Sequence, residues 1–207
     1  MRISILGAGR VGGSLGAGWA AAGHDVTFGV RDPNDEKQGA LAGPTATVRD
    51  AVAAADLVVL ATPWAAVQSV LEAAGDFAGK TLVDATNPIG PGFALTHGHD
   101  DSGAEQVARW ATNANVVKSF NTTGFENMRN PAYPGGASVM FACGDDAEAT
   151  KRVCGLASDL GFDPVNMGPL SRARELEPFA MVWIRMAMQL GHGRDFAFVK
   201  LRRASTS

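Results

Sequence analysis

Gly7-Ala8-Gly9-Arg10-Val11-Gly12 is the stretch that decides the fold. It reads Gly-x-Gly-x-x-Gly, and its surroundings supply the context that pattern needs. An apolar run over 2–6 precedes it, a helical stretch over 11–22 begins inside it, and a second apolar run over 25–30 follows. In such a strand–turn–helix the first glycine admits a tight turn and the second lets backbone approach a pyrophosphate. The third allows helix to pack closely on strand. Backbone N–H groups at the helix start then receive the phosphates. A dinucleotide-binding turn is expected.

Working outward, short apolar runs alternate with longer amphipathic ones. Strands are predicted over 2–6, 25–30, 57–61, 81–84, 116–120, 138–143 and 164–167, the last confined by Pro164 to a strand start or an edge. Helices are predicted over 11–22, 48–55, 65–74, 103–111 and 147–160. Ser102 and Glu105 form a capping box, Asp145-Asp146 puts acid at the head of the next helix, and Gly161 closes it. The alternation predicts an α/β, Rossmann-type doubly wound fold with a mainly parallel sheet and right-handed crossovers. From Gly168 the texture changes to one long helical candidate over 172–190, with a kink or restart at Pro178, and a short aromatic-basic tail. Residues 1–168 are thus expected to form a nucleotide-binding domain, and 169–207 a helical appendage packed on it or on a partner subunit.

Composition narrows the function. The 207 residues include 25 glycines, carry a net charge of −3 and are 46% hydrophobic. Nothing advertises a nucleic-acid footprint or a polybasic membrane face. No apolar run approaches the ~18 residues of a membrane span. Gly7-Ala-Gly-Arg interrupts the N-terminal run before a signal-peptide core develops. The two cysteines, Cys143 and Cys154, exclude a disulfide scaffold, lack metal spacing and suit a reducing compartment. A cytoplasmic protein is expected, with residues 204–207 disordered.

The end of the second predicted strand selects the cofactor. It reads Gly29-Val30-Arg31-Asp32-Pro33, so the first long polar side chain is a guanidinium where NAD-binding domains usually place an acid. A guanidinium suits the 2′-phosphate of NADP as a bidentate donor, and Lys37 offers a second positive charge. Asp32 either binds the ribose or caps the turn before Pro33. Ligands in such sheets sit beyond the carboxyl ends of the strands. Those ends carry Thr62-Pro63-Trp64, Asn87-Pro88-Ile89 and Asn121, small, polar or rigid groups suited to a nicotinamide and its ribose, with Trp64 placed to wall the cofactor. Lys118, inside a predicted strand, is left without a role. Thr96-His97-Gly98-His99-Asp100-Asp101 imitates part of a dinuclear metal motif, but Ser102 stands where a further histidine belongs. A polar loop ahead of a helix is the better reading, and no metal is expected.

The assembled motifs resemble the F420-dependent NADP oxidoreductase family, which includes the reductase domains of STEAP ferric reductases. The resemblance covers almost the whole chain. It rests on Ile5-Leu-Gly-Ala-Gly-Arg-Val-Gly, Gly29-Val-Arg-Asp-Pro, Ala61-Thr-Pro-Trp, Thr86-Asn-Pro, Val117-Lys-Ser-Phe-Asn-Thr, Gly168-Pro-Leu and the Glu175-Leu-Glu-Pro helix. It implies hydride exchange between NADPH and a deazaflavin (coenzyme F420) or flavin-like acceptor, with no catalytic side chain required. It also implies Ala8 to Val11 at the pyrophosphate and Val30 with Arg31 at the 2′-phosphate. Trp64, Asn87, Pro88, Ile89 and Asn121 would line the nicotinamide half. The acceptor would lie beneath the helix of Met181, Trp183 and Met186, whose apolar face also makes a homodimer plausible. Two alternatives remain open: reduction of another small acceptor (quinone, carbonyl or imine), and non-catalytic sensing of NADP(H).

Overall fold

The computed structural model describes residues 1–35 and 40–203. The expectations for Lys37 and for the tail 204–207 lie outside the described residues.

The chain runs β1 (Arg2–Leu6), α1 (Arg10–Ala21), β2 (Asp25–Val30), β3 (Thr45–Thr47), α2 (Val48–Ala54) and β4 (Leu57–Leu60). A 3-10 turn over Trp64–Ala66 leads into α3 (Val67–Ala74), then β5 (Thr81–Asp84), α4 (Gly103–Trp110), β6 (Asn115–Ser119) and α5 (Phe125–Arg129). A small hairpin of β7 (Ala132–Tyr133) and β8 (Gly136–Ala137) precedes β9 (Val139–Gly144), α6 (Ala147–Asp159), β10 (Asp163–Asn166) and α7 (Ala173–Met188). The main sheet has the order β3-β2-β1-β4-β5-β6-β9-β10, and its first six strands are parallel. β9 pairs antiparallel with β6, and β10 returns parallel to β9. The Rossmann-type, mainly parallel sheet expected from the sequence is therefore present, with two reversed strands at one end.

Alternation explains why the strands are continuous apolar runs. Ile3, Ile5, Leu57, Val59, Val83 and Val117 pack into the cluster under α1 and α6, around Trp19, Phe28 and Phe120. Their neighbours Leu6, Val58, Leu60, Leu82 and Val116 face the other way, toward Leu71, Phe77 and Leu176. A strand buried on both faces has no polar side to show.

Local signals act as read. Ser102 Oγ accepts from Glu105 N at 3.2 Å and donates to the Glu105 carboxylate at 2.7 Å, while Asp146 accepts from Ala149 N at 2.7 Å. Pro164 sits on the edge strand β10. Pro178 does not break α7. It lies in the second turn on the exposed side, so one intrahelical bond is lost, and burial of Ala173, Leu176, Ala180, Met181 and Trp183 holds the helix together.

After α7 the chain lies back on the body. The Phe196 carbonyl accepts from Trp183 Nε1 at 3.1 Å and from Asn127 Nδ2 at 2.8 Å, and the Phe198 carbonyl accepts from Val139 N at 2.9 Å. Among the described residues no helix is long and apolar enough to cross a membrane.

Candidate nucleotide-binding site

The three motif glycines meet three different constraints. Gly7 has φ +116°, and a Cβ there would stand 2.6 Å from the Ala61 carbonyl oxygen at the end of β4. A Cβ on Gly12 would stand 2.0 Å from the Gly7 carbonyl oxygen and 3.1 Å from Ile5 on β1. Around Gly9 a Cβ would meet nothing within 4 Å among the described residues, so none of them demands a glycine there. Gly9 is also the N-cap of α1, which has no side-chain cap and no acid in its first turn. The first N–H groups of this 12-residue helix thus face outward without a side-chain acceptor, at the positive end of the helix dipole.

Beside this turn lies a cavity of about 1010 Å³. Gly7, Ala8, Val30, Arg31 and Thr62 line it, joined by Pro63, the start of α2 and, on α3, Ser69, Val70 and Ala73. That volume suits an adenosine phosphate. Arg31 is exposed at the end of β2 and makes no hydrogen bond or ion pair with any described residue. Asp32 is committed elsewhere: its Oδ1 accepts from Asn34 N at 2.9 Å, which is the turn-capping alternative. Sequence reading missed the α2 side, where Thr47, Val48, Arg49 and Asp50 complete the wall. β3, which delivers them, is Thr-Ala-Thr, too short and too polar to register as a buried strand.

The remaining expected residues gather at the ends of β4, β5 and β6, outside that cavity. Asn87 Nδ2 donates to the Asn121 carbonyl at 2.9 Å, and Asn121 Nδ2 donates to Asn87 Oδ1 at 3.1 Å and to the Leu176 carbonyl at 3.4 Å. Because both partners of that amide nitrogen are acceptors, the Asn121 rotamer is fixed. Its buried Oδ1 and the Thr62 hydroxyl have no partner among the described residues. Phe120, immediately before Asn121, has φ +57°, uncommon for a bulky residue, and this turn ends β6 and presents Asn121. Trp64 packs edge-on against His97 with ring centres 5.4 Å apart, and the Pro88 carbonyl accepts from Thr96 N at 2.8 Å. Ile89 bridges to Leu95. His97 is thus part of the wall around Trp64, and Ser102 is the cap of α4.

Lys118 sits directly beneath these loops, fully buried. Its Nζ is 3.0 Å from Asp84, 2.8 Å from Glu177 and 2.7 Å from the Thr86 carbonyl. Glu177, on α7, also accepts from Gly103 N at 2.8 Å and Ala104 N at 3.0 Å, and so caps α4 from outside. Burial opposes the lysine charge, but the two carboxylates outweigh it and hold the Lys118 pKa above its ordinary value. Burial pushes the nearby Cys143 thiol up to about 12, so that cysteine is an inert core group. Of the residues of the last helix expected to cover the acceptor, Met181 and Trp183 are buried and Met186 is half-buried, and Trp183 stacks on Phe196 with ring centres 5.3 Å apart.

Residues 2–88 match the model of the family described as NADP oxidoreductase, coenzyme F420-dependent. A crystal structure from Arthrobacter sp. FB24, provisionally described as an F420-dependent NADP-reductase, is 36% identical, with a TM-score of 0.87 over 98% of this chain and 100% of that one. The F420-dependent NADP reductase of Methanothermobacter thermautotrophicus is 28% identical over 90% of this chain and 89% of that protein. The rat metalloreductase STEAP3 is 31% identical over 85% of this chain, which spans only 36% of that longer protein.

Proposed function

The chain belongs to the coenzyme F420-dependent NADP oxidoreductase family, and from that premise we propose that it transfers a hydride between NADP(H) and a deazaflavin or flavin-like acceptor. The observation that carries the cofactor half is Arg31, a guanidinium with no partner among the described residues, in the wall of a cavity that opens beside an uncapped helix start. The empty space at Gly9 fits a pyrophosphate passing close to backbone, and the unpartnered Thr62 and Asn121 oxygens fit polar groups arriving from a ligand. In this reading Gly7 to Gly12 hold the pyrophosphate, with Ala8, Arg10 and Val11 offering backbone N–H groups. Val30 and Arg31 take the adenosine 2′-phosphate, and Trp64, Asn87, Pro88, Ile89 and Asn121 set the nicotinamide half. The nicotinamide supplies hydride chemistry when bound. The protein binds, orients and excludes water, a role that requires no catalytic dyad.

The acceptor, a cytoplasmic location and a homodimer through α7 belong to the same proposal. Val182, Met188 and Leu190 are exposed on or just after that helix, which favours a self-contact there. Mixing the protein with NADPH and, separately, F420, FMN, FAD and a quinone, with acceptor reduction followed optically, decides the activity. Reduction of F420 or a flavin is expected. Turnover of the quinone alone would move the protein to another reductase class, and tight NADPH binding with every acceptor inert would make it a sensor. The cofactor choice has its own test. Arg31→Ala should weaken NADPH by roughly 10- to 100-fold, the loss of one charge-assisted pair, while NADH changes little. A parent protein that prefers NADH would overturn the 2′-phosphate assignment.

A further inference from the structure

A second arginine shares the cavity with Arg31. Arg49, at the start of α2, lines the same space, and its guanidinium atoms lie 3.2 to 3.7 Å from where a Cβ on Gly75 would stand. It therefore reaches from α2 across to the end of α3, along the wall that Ser69 and Ala73 also form. Among the described residues it makes no hydrogen bond and no ion pair. The nearest carboxylate in sequence, Asp50, is occupied: its Oδ2 accepts from the Thr47 hydroxyl at 2.7 Å, and Thr47 Oγ1 in turn accepts from Asp50 N as the cap of α2.

Charge shows why one arginine is not enough. A phosphomonoester carries about −1.5 to −2 charges near neutral pH. Asp32, Asp35 and Asp50 line the cavity as well, and among the described lining residues the cations are Arg31 and Arg49, so Arg31 by itself would not balance the charge of the incoming phosphate. Arg49 supplies the second cation, as a planar fork whose donors have no partner among the described residues. Resting on the NADP reading above, we propose that Arg49 is a second ligand of the adenosine 2′-phosphate and shares with Arg31 the discrimination of NADP from NAD. The competing role is structural, a cation resting on the carbonyl end of α3. That role predicts lost stability and no selectivity.

The test measures the affinity of the parent protein, Arg49→Ala and Arg49→Lys for NADPH, NADH, adenosine 2′,5′-bisphosphate and adenosine 5′-monophosphate by calorimetry, with a thermal melt on each variant. Arg49→Ala should lose roughly 10- to 100-fold for the two ligands bearing a 2′-phosphate and less than about twofold for the other two. Its melting temperature should hold. Arg49→Lys should keep part of the preference, because it retains the charge and loses the fork. An unchanged NADPH-to-NADH ratio, or equal losses for all four ligands, overturns the assignment while leaving the NADP reading intact. A parent protein with no preference for NADPH overturns both.

Discussion

Lys118→Met is expected to destabilise the protein by about 3–5 kcal/mol, because it removes the counter-ion of two buried carboxylates and leaves both behind. For a chain of this length that is a fall in melting temperature of roughly 6–20 °C. Asp84 and Glu177 are 0% and 1% exposed, and after the substitution they share a buried site. Each keeps some support: Asp84 still accepts from Thr86 N at 2.9 Å, and Glu177 from the two amides that open α4. Neither retains a positive charge. Adding Asp84→Asn and Glu177→Gln should restore much of the loss, since a neutral set of similar shape has no charge to desolvate. The pH dependence has a definite sign. The folded-state pKa of Lys118 is raised, so its contribution is complete below the ordinary lysine value of 10.5 and fades only as pH climbs through the higher folded value. Denaturant melts of the parent at neutral pH and pH 9 should therefore show the Lys118 contribution intact at both, while the variant, with two uncompensated carboxylates, should lose ground as pH rises. A gap between parent and variant below about 1 kcal/mol would mean that the triad is not what fastens α7 to the sheet.

The same triad marks the limit of what could be read in advance. Lys118 was visible as a charge in an apolar strand, but its partners come from Asp84 on the neighbouring strand and from Glu177 on the last helix. No periodicity links those three positions. The reversed direction of β9 was hidden for a related reason. A buried strand has the same composition in either direction, and what turns β9 round is the connection from β6, where a five-residue α5 and a hairpin replace the usual crossover helix. Arg31, by contrast, was legible because the Gly-x-Gly-x-x-Gly turn fixes which strand end comes next to the adenosine. Arg49 is delivered by a three-residue edge strand, and nothing in Thr-Ala-Thr announces it.

Gly12→Ala should have the second large effect, and its neighbours separate two causes that the motif alone runs together. The new Cβ would stand 2.0 Å from the Gly7 carbonyl oxygen, which belongs to backbone and cannot rotate away. Relief requires α1 to lift from β1 or the turn to reshape, an overpacking cost of about 1–3 kcal/mol. Either movement carries the free N–H groups of α1 away from their ligand, so dinucleotide affinity should fall by roughly 100-fold or more, equivalent to two charge-assisted contacts. Gly9→Ala isolates the ligand's share. Its Cβ meets nothing within 4 Å among the described residues, so stability should stay within about 1 kcal/mol of the parent, the usual N-cap penalty. Affinity for NADPH should still drop if a pyrophosphate occupies the space the methyl group enters. Gly13→Ala supplies the baseline: it also meets nothing within 4 Å, lies inside α1, and should raise stability by about 0.5–1 kcal/mol. Thermal melts paired with NADPH titrations on the three variants read the separation directly. If Gly9→Ala binds NADPH as the parent does, the pyrophosphate does not run over Gly9, and the phosphate site lies elsewhere along the turn.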